Sequence, residues 1–514
     1  MGTFHILNFG CRASQADGAA LKQQLLQAGL QEVSSIDDSA VAILNTCTVT
    51  AAADAEVRQF VRRIHRRNPQ CRILVTGCYA QRAPEEIARL EGVAWVVGNS
   101  HKHLVSALVS TNLIYESGDR EIGRPVEQEQ SAPGAQPSPL LVAQLVQIQA
   151  SSKSAECRTE NEGQEVHSPD YPIARSPGAS GSGPRTSDRA EVLVGEITEE
   201  FHFAPVFADD RTRPTLKIQD GCDARCSFCI IPTVRGQSRS LPPEKVLEQV
   251  RQLEDAGYHE VVLSGINLGG YARDLGRSIN FLGMVERILR ETSIERIRIS
   301  SVEPMDVSPA LIGLVAAEVR MAQHFHVPLQ SGCDRILRLM NRRYWTKQYA
   351  ERILAIHEQI PNAAIGADVM VGFPGETDQD HAASMRFIEA LPFTYLHIFP
   401  FSARPGTPAS IAAGQVNGRV ARERSQEIRD IISAKRRVFL ATQVGLRTPS
   451  LALAHRDENA PVVLTTNYLN VVLPGSEVRP NRMVDVHIGR VDSGKLFGCV
   501  VVEGREQKAV GSGQ

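Results

Sequence analysis

The chain has 514 residues, enough for three or four domains at about 150 residues each. It is 42% hydrophobic and 22% charged, a balance that excludes a wholly disordered, collagen-like or fibrous chain. A formal net charge of −2 excludes a strongly basic nucleic-acid coat protein but not a local basic site.

The N-terminus MGTFHILNFGC lacks the basic segment and long apolar run of a secretory signal. Ile6 stands where myristoylation needs Ser or Thr. No stretch approaches the roughly 18 apolar residues of a membrane span. The expectation is a soluble, cytoplasmic protein with no membrane partner. Over residues 1–120 the apolar runs FHILNF, VAILNT, RILVTG and VAWVVG alternate with amphipathic stretches such as GAALKQQLLQAG. That alternation predicts βαβ units and a doubly wound parallel α/β sheet.

At about residue 123 the composition turns to Ser, Pro, Gly, Gln and Glu, and it stays so to about 190. Such a stretch cannot bury enough apolar surface to fold alone and is read as a disordered insertion or linker. Over 200–440, six apolar runs (TLKIQ, EVVLSG, RIRISS, HFHVPL, AIGADVMVG, YLHIFPF) are separated by helical patterns. They predict a partial (β/α)6 barrel, since closure normally takes eight units. A charged helix is expected over roughly 418–440. Residues 443–505 hold short strands at close spacing and predict a small all-β barrel.

Ten cysteines fall far below the roughly 8% of a disulfide scaffold, so clustered cysteines are read as metal ligands or catalytic groups. Cys11, Cys47 and Cys78 each follow an apolar run directly. The carboxyl ends of parallel strands share one edge, where ligands bind, so the three are expected to converge. Three thiolates suit an iron–sulfur cluster or zinc. Cys222, Cys226 and Cys229 form a C-x3-C-x2-C loop just after the first barrel strand. Three close thiolates there can hold three corners of a [4Fe–4S] cube and leave the fourth iron open. A zinc loop with a remote fourth ligand has similar spacing.

That loop at the start of a partial barrel resembles the radical S-adenosylmethionine enzymes. The whole chain is similar to their methylthiotransferase branch, over about residues 1–110 and 200–505. GCRASQADG, HVPLQSGCDRILRLMNRRYWTKQY and LHIFPFSARPGTPA look most like the enzymes acting on threonylcarbamoyladenosine of tRNA. The resemblance implies an N-terminal methylthiotransferase domain, a radical barrel and a C-terminal TRAM domain that holds RNA. It implies two [4Fe–4S] clusters, on Cys11, Cys47 and Cys78 and on Cys222, Cys226 and Cys229. It also implies S-adenosylmethionine on the open iron of the second, cleaved to a radical that takes hydrogen from C2 of a modified adenosine (adenosine-37) beside the anticodon. The first cluster would carry the sulfur. The partner is the tRNA anticodon arm; the reductant and sulfur donor are unknown, and one chain is expected to act as a monomer. Isopentenyladenosine or a ribosomal-protein side chain are alternative substrates, and a non-catalytic iron–sulfur RNA-binding protein is an alternative of another class.

Polar residues at other strand ends are candidates for holding S-adenosylmethionine: Gly265 and Asn267, Ser301 and Glu303, and Gln330. VGFPGE at Val371–Glu376 matches a family element lining that site. Arg342, Arg343 and Tyr344 are candidates for substrate, the arginines for phosphate or the threonylcarbamoyl carboxylate and Tyr344 for stacking. Arg62, Arg63, Arg66 and Arg67 form a basic helix face, either solvated or a phosphate contact.

Overall fold

Residues 2–118, 190–197, 212–276, 279–502 and 505–506 are described by a computed structural model. The stretch read as an insertion, 123–190, lies outside the described residues except for Ala190.

The first sheet is wholly parallel, in the order β2-β1-β3-β4-β5-β6. Its strands are β1 (Thr3–Asn8), β2 (Gln31–Glu32), β3 (Val41–Thr46), β4 (Arg72–Gly77), β5 (Val93–Gly98) and β6 (Glu191–Leu193). Every residue of β3 is buried because helices cover both faces, as the apolar run VAILNT requires. Val41 and Ile43 pack on one face, Ala42 and Leu44 on the other. The sequence reading closed this unit at residue 120. The sixth strand instead comes from Glu191–Leu193 and pairs with β5. A three-residue strand is too short to stand out as a periodic pattern.

Six further parallel strands follow: β7 (Thr215–Lys217), β10 (Glu260–Ser264), β11 (Arg296–Ile299), β12 (His324–His326), β13 (Ala364–Val371) and β14 (Tyr395–Pro400). A short antiparallel pair, β8 (Gln219–Asp220) and β9 (Arg239–Ser240), sits between the first two. Two three-stranded sheets, β7-β10-β11 and β12-β13-β14, are joined by the Ser301–His326 bridge. This is the expected partial (β/α)6 barrel. Amphipathic helices such as Pro243–Asp255 bury Val246, Leu247, Val250 and Leu253 against it. The charged helix runs over Gly418–Thr442.

The last unit has β15 (Arg447–Asp457), β16 (Ala460–Thr465), β17 (Asn470–Val472), β18 (Met483–Asp492) and β19 (Lys495–Val502). They run in the order β17-β16-β15-β18-β19, and a parallel β17–β19 pairing closes the ring. β20 (Arg505–Glu506) pairs antiparallel with the end of β19. The expected small β-barrel is thus present as a closed five-stranded one. Arg296 and Arg298 dock it to the larger barrel by donating to Pro449, Leu464, Thr465 and Thr466 carbonyls.

Candidate functional site

Strand order in the first sheet reverses between β1 and β3, the switch point where α/β sheets open a crevice. Cys11 lies beyond β1 and N-caps helix α1 (Arg12–Gln27). Cys47 follows β3, and Cys78 begins helix α3 (Cys78–Arg82) directly after β4. The pairing Thr46↔Gly77 sets Cys47 and Cys78 side by side. Gly10 closes the approach of Cys11: a Cβ there would lie 2.3 Å from Cys47 Cβ. Cys11 is exposed and the other two buried. Burial pushes Cys47 up to about 12, with Cys11 and Cys78 adding like charge.

Beyond β8, Gly221 has φ +70°, and a Cβ there would lie 1.8 Å from Gln237 O. Cys222 N–H donates to Gly236 O at 3.1 Å. Ser227 donates to Met340 O and Leu339 O, and Asn341 to Arg225 O, so the segment 339–342 holds the loop. Burial pushes Cys229 up to about 12 and raises Cys222.

The two triads are joined. Cys78 packs with Ile230 and Val234, and Val234 belongs to the helix Ile231–Arg235 that leaves the second loop. Arg235 Nε donates to Cys78 Sγ at 3.2 Å, and its other nitrogens reach Asp220 and Asp17. Asp17 also meets Lys102 at 3.0 Å and Lys217. Neither Asp17 nor Arg235 was singled out from sequence; their signals are GCRASQADG and the Arg that closes IPTVR.

Cys11, Cys222, Cys226 and Cys229 line one cavity of about 1360 Å³. Of the expected cofactor contacts, Gly265, Ser301, Glu303 and Gln330 line it too; Asn267 does not. Gln330 sits at φ +64°, and its Oε1 is buried without a partner, as is Ser300 Oγ on the same wall. Val371–Glu376 lies away from the cavity wall. Phe373 packs edge-on beneath Phe228 of the cysteine loop, and Glu376 pairs with Arg424 at 2.7 Å.

The expected substrate trio is dispersed. Arg342 lines the cavity but is engaged: it pairs with Glu303 and donates to Cys226 Sγ at 3.2 Å. Tyr344 is buried, and its hydroxyl donates to Pro328 O and Leu329 O, so no base can stack on it. Arg343 is exposed outside the cavity wall. Helix α2 (Ala51–Arg67) exposes Arg62, Arg63, Arg66 and Arg67; Arg67 pairs with Asp37 and Arg63 lies over Phe60.

Sequence reasoning missed a second wall. His326, Tyr395, His397 and Asp368 form the barrel's inner lining, with His326 Nε2 3.2 Å from Asp368. Arg12, Arg213 and Tyr468 complete it from three different parts of the chain.

These donors suit the expected groups. Among the described residues no three His, Cys, Asp or Glu side chains converge as ligands of one metal ion. A four-iron cube asks for one thiolate per iron, spread around its corners. Arg235 and Arg342 each offer a charged N–H to one sulfur of a triad, which stabilises thiolate charge. Ser300 and Gln330 line the cavity, and each holds a buried side-chain oxygen with no partner, an acceptor that a cationic amine would satisfy.

Two family models match, one described as an uncharacterised protein family, UPF0004, over residues 3–98, and the radical SAM superfamily over residues 216–388. The threonylcarbamoyladenosine tRNA methylthiotransferase MtaB of Aquifex aeolicus is 33% identical over 91% of this chain and 95% of its own. That of Bacillus subtilis is 32% identical over 94% and 93%. The tRNA-2-methylthio-N(6)-dimethylallyladenosine synthase of Pelotomaculum thermopropionicum is 29% identical over 95% of each.

Proposed function

The chain belongs to the methylthiotransferase family of radical S-adenosylmethionine enzymes, and from that premise we propose that it converts N6-threonylcarbamoyladenosine at position 37, beside the tRNA anticodon, to its 2-methylthio derivative. The observation that carries this reading is the single cavity shared by Cys11 of the first triad and all three cysteines of the second. When bound, two [4Fe–4S] clusters and S-adenosylmethionine supply the radical and sulfur chemistry. C2–H of adenine is unactivated, so no side-chain base removes it at neutral pH. The chain's own work is to bind, orient and shield.

Cys222, Cys226 and Cys229 would hold one cluster, and Cys11, Cys47 and Cys78 the other. Glu303, Gln330 and Ser300 offer acceptors to the cofactor's ammonium, and Arg342 holds Glu303 in place. Arg456 and Lys495 of the C-terminal barrel line the cavity, where an RNA backbone can meet cationic side chains. One chain supplies both triads, which supports action as a monomer. The threonylcarbamoyl substrate is favoured over dimethylallyl because relatives named for it reach higher identity.

Nucleoside mass spectrometry tests the reading. A bacterium lacking its own methylthiotransferases, but retaining both precursor nucleosides, is given this chain. The 2-methylthio derivative of threonylcarbamoyladenosine is expected. A product on isopentenyladenosine alone, or none from cluster-loaded protein, overturns it.

A further inference from the structure

The cavity carries positive charge that neither triad uses. Arg12, Arg213 and Arg298 surround the Tyr468 ring, with guanidinium carbons 5.6, 5.7 and 5.2 Å from its centre. Arg296 lies beside them, and Glu260 is the one carboxylate among the described residues that pairs with any of the four, at 2.7 Å from Arg298, 3.5 Å from Arg296 and 3.9 Å from Arg213. Arg296 and Arg298 are buried and also donate to carbonyls of the C-terminal barrel. Arg12 and Arg213 face the cavity. Arg12 donates to Tyr468 Oη at 3.0 Å, and no carboxylate among the described residues pairs with it. The acids that line the cavity are occupied: Asp368 by His326, Glu303 by Arg342 and Asp457 by Lys495. Tyr468 itself sits at φ +67°, a conformation costly for an aromatic residue and typical of ligand sites.

Arg12, half-buried with no carboxylate partner among the described residues, and Arg213, reached only by Glu260 at 3.9 Å, are a poor resting arrangement and a good receptor for a planar anion, since their paired N–H groups match a carboxylate. Arg12 directly follows Cys11, so an anion bound there lies beside the first triad. In adenine, C2 and the carbon bearing N6 flank the same ring nitrogen. A base with C2 turned to the triads therefore directs its N6 branch along the same wall.

We propose that Arg12 and Arg213 bind the carboxylate of the threonyl branch, and so make the cavity select an acidic N6 substituent over a neutral one. This rests on the substrate reading above. It replaces the expectation that Arg342 and Arg343 do so, because Arg342 is held by Glu303 and Cys226 and Arg343 is outside the cavity. A neutral dimethylallyl branch would leave Arg12 without a counter-charge and Arg213 with Glu260 alone at 3.9 Å, and a site built for a polar group rejects the analogue lacking it.

The test is binding of anticodon stem-loops to the cluster-loaded protein. Three are compared: threonylcarbamoyladenosine, its threonyl methyl ester, and dimethylallyladenosine. The acid is expected to bind at least about tenfold more tightly than the ester, as for one charge-assisted contact. Arg12→Gln and Arg213→Gln should each shrink that ratio toward one and weaken the ester and dimethylallyl forms little. Arg213→Gln carries the test alone if Arg12→Gln loses its clusters. Equal binding of acid and ester by the unaltered protein overturns the proposal. So does an equal loss on all three stem-loops, which would assign the pair to phosphate. Methylthiolation of the acid without any acid-over-ester preference overturns the arginine pair but leaves the reaction standing.

Discussion

Cys47 and Cys229 are both held up to about 12 by burial, so each is a thiol at neutral pH until a metal displaces the proton. Cys11 differs by its exposure and by lining the cavity. A division of labour follows. Replacing Cys222, Cys226 and Cys229 together by Ala should abolish reductive cleavage of S-adenosylmethionine, read as loss of 5′-deoxyadenosine. Cys11→Ala should leave that cleavage and stop the methylthio product. Methylthio product from Cys11→Ala would remove it from the first cluster. Arg342 belongs to the same scale, tying Glu303 to Cys226 across the cavity wall.

Among the elements, the strand ends matter most, because they set where the thiols point. β1, β3 and β4 are neighbours in register, and sharp turns at their ends bring Cys11, Cys47 and Cys78 together. Gly77 makes one such turn at φ +99°. A Cβ there would lie 2.4 Å from Thr46 O and 2.7 Å from Thr46 N, backbone atoms with no room to yield. Gly77→Ala should therefore push Cys78 off its place. The expected result is loss of one cluster's iron, with S-adenosylmethionine cleavage retained and methylthio transfer lost; iron analysis beside product assay checks it. Full iron content would show that the turn tolerates a side chain. Residues 190–197 are the counterexample to reading elements from pattern: β6 is short, and it is a strand because the open edge of β5 gives its backbone a partner.

Across the whole molecule, buried ion pairs lock the first sheet to the radical barrel. Asp17 on α1 meets Lys217 at the end of β7 and Arg235 beyond the cysteine loop, while Arg404 reaches Asp54 and Thr48 O. Burial alone would raise Asp220, but Arg235 and Lys217 outweigh it and hold it at about 2. Burial likewise opposes ionisation of Asp17, and Lys102, Lys217 and Arg235 bring it well below the usual carboxylate range. A carboxylate lower in the folded than in the unfolded chain stabilises the fold above its unfolded value. That contribution fades as pH falls from about 4 to about 2. Melting temperature should therefore drop over this window. Asp17→Asn should melt lower at neutral pH, with a flatter acid limb. An unchanged acid limb in Asp17→Asn would show that the interface does not depend on that charge.

The places of the six cysteines in the fold were legible in the sequence because strand-end position and loop spacing are local properties, and parallel strands carry their ends to one edge. The three-part fold was legible for the same reason, through alternation of apolar runs and helical patterns. Burial and approach are not local. Tyr344 follows two arginines and looked like a stacking residue, yet the barrel encloses it; Arg342 looked free and is held by Glu303 and a cysteine loop over 100 positions away. Arg12, Arg213 and Tyr468 share no pattern in the chain. They meet only because the C-terminal barrel packs against Arg296 and Arg298 of β11, beside the helix that begins at Arg12. Residue type and spacing thus determined which chemistry the chain can hold, and tertiary packing alone decided which charges remain open to a substrate.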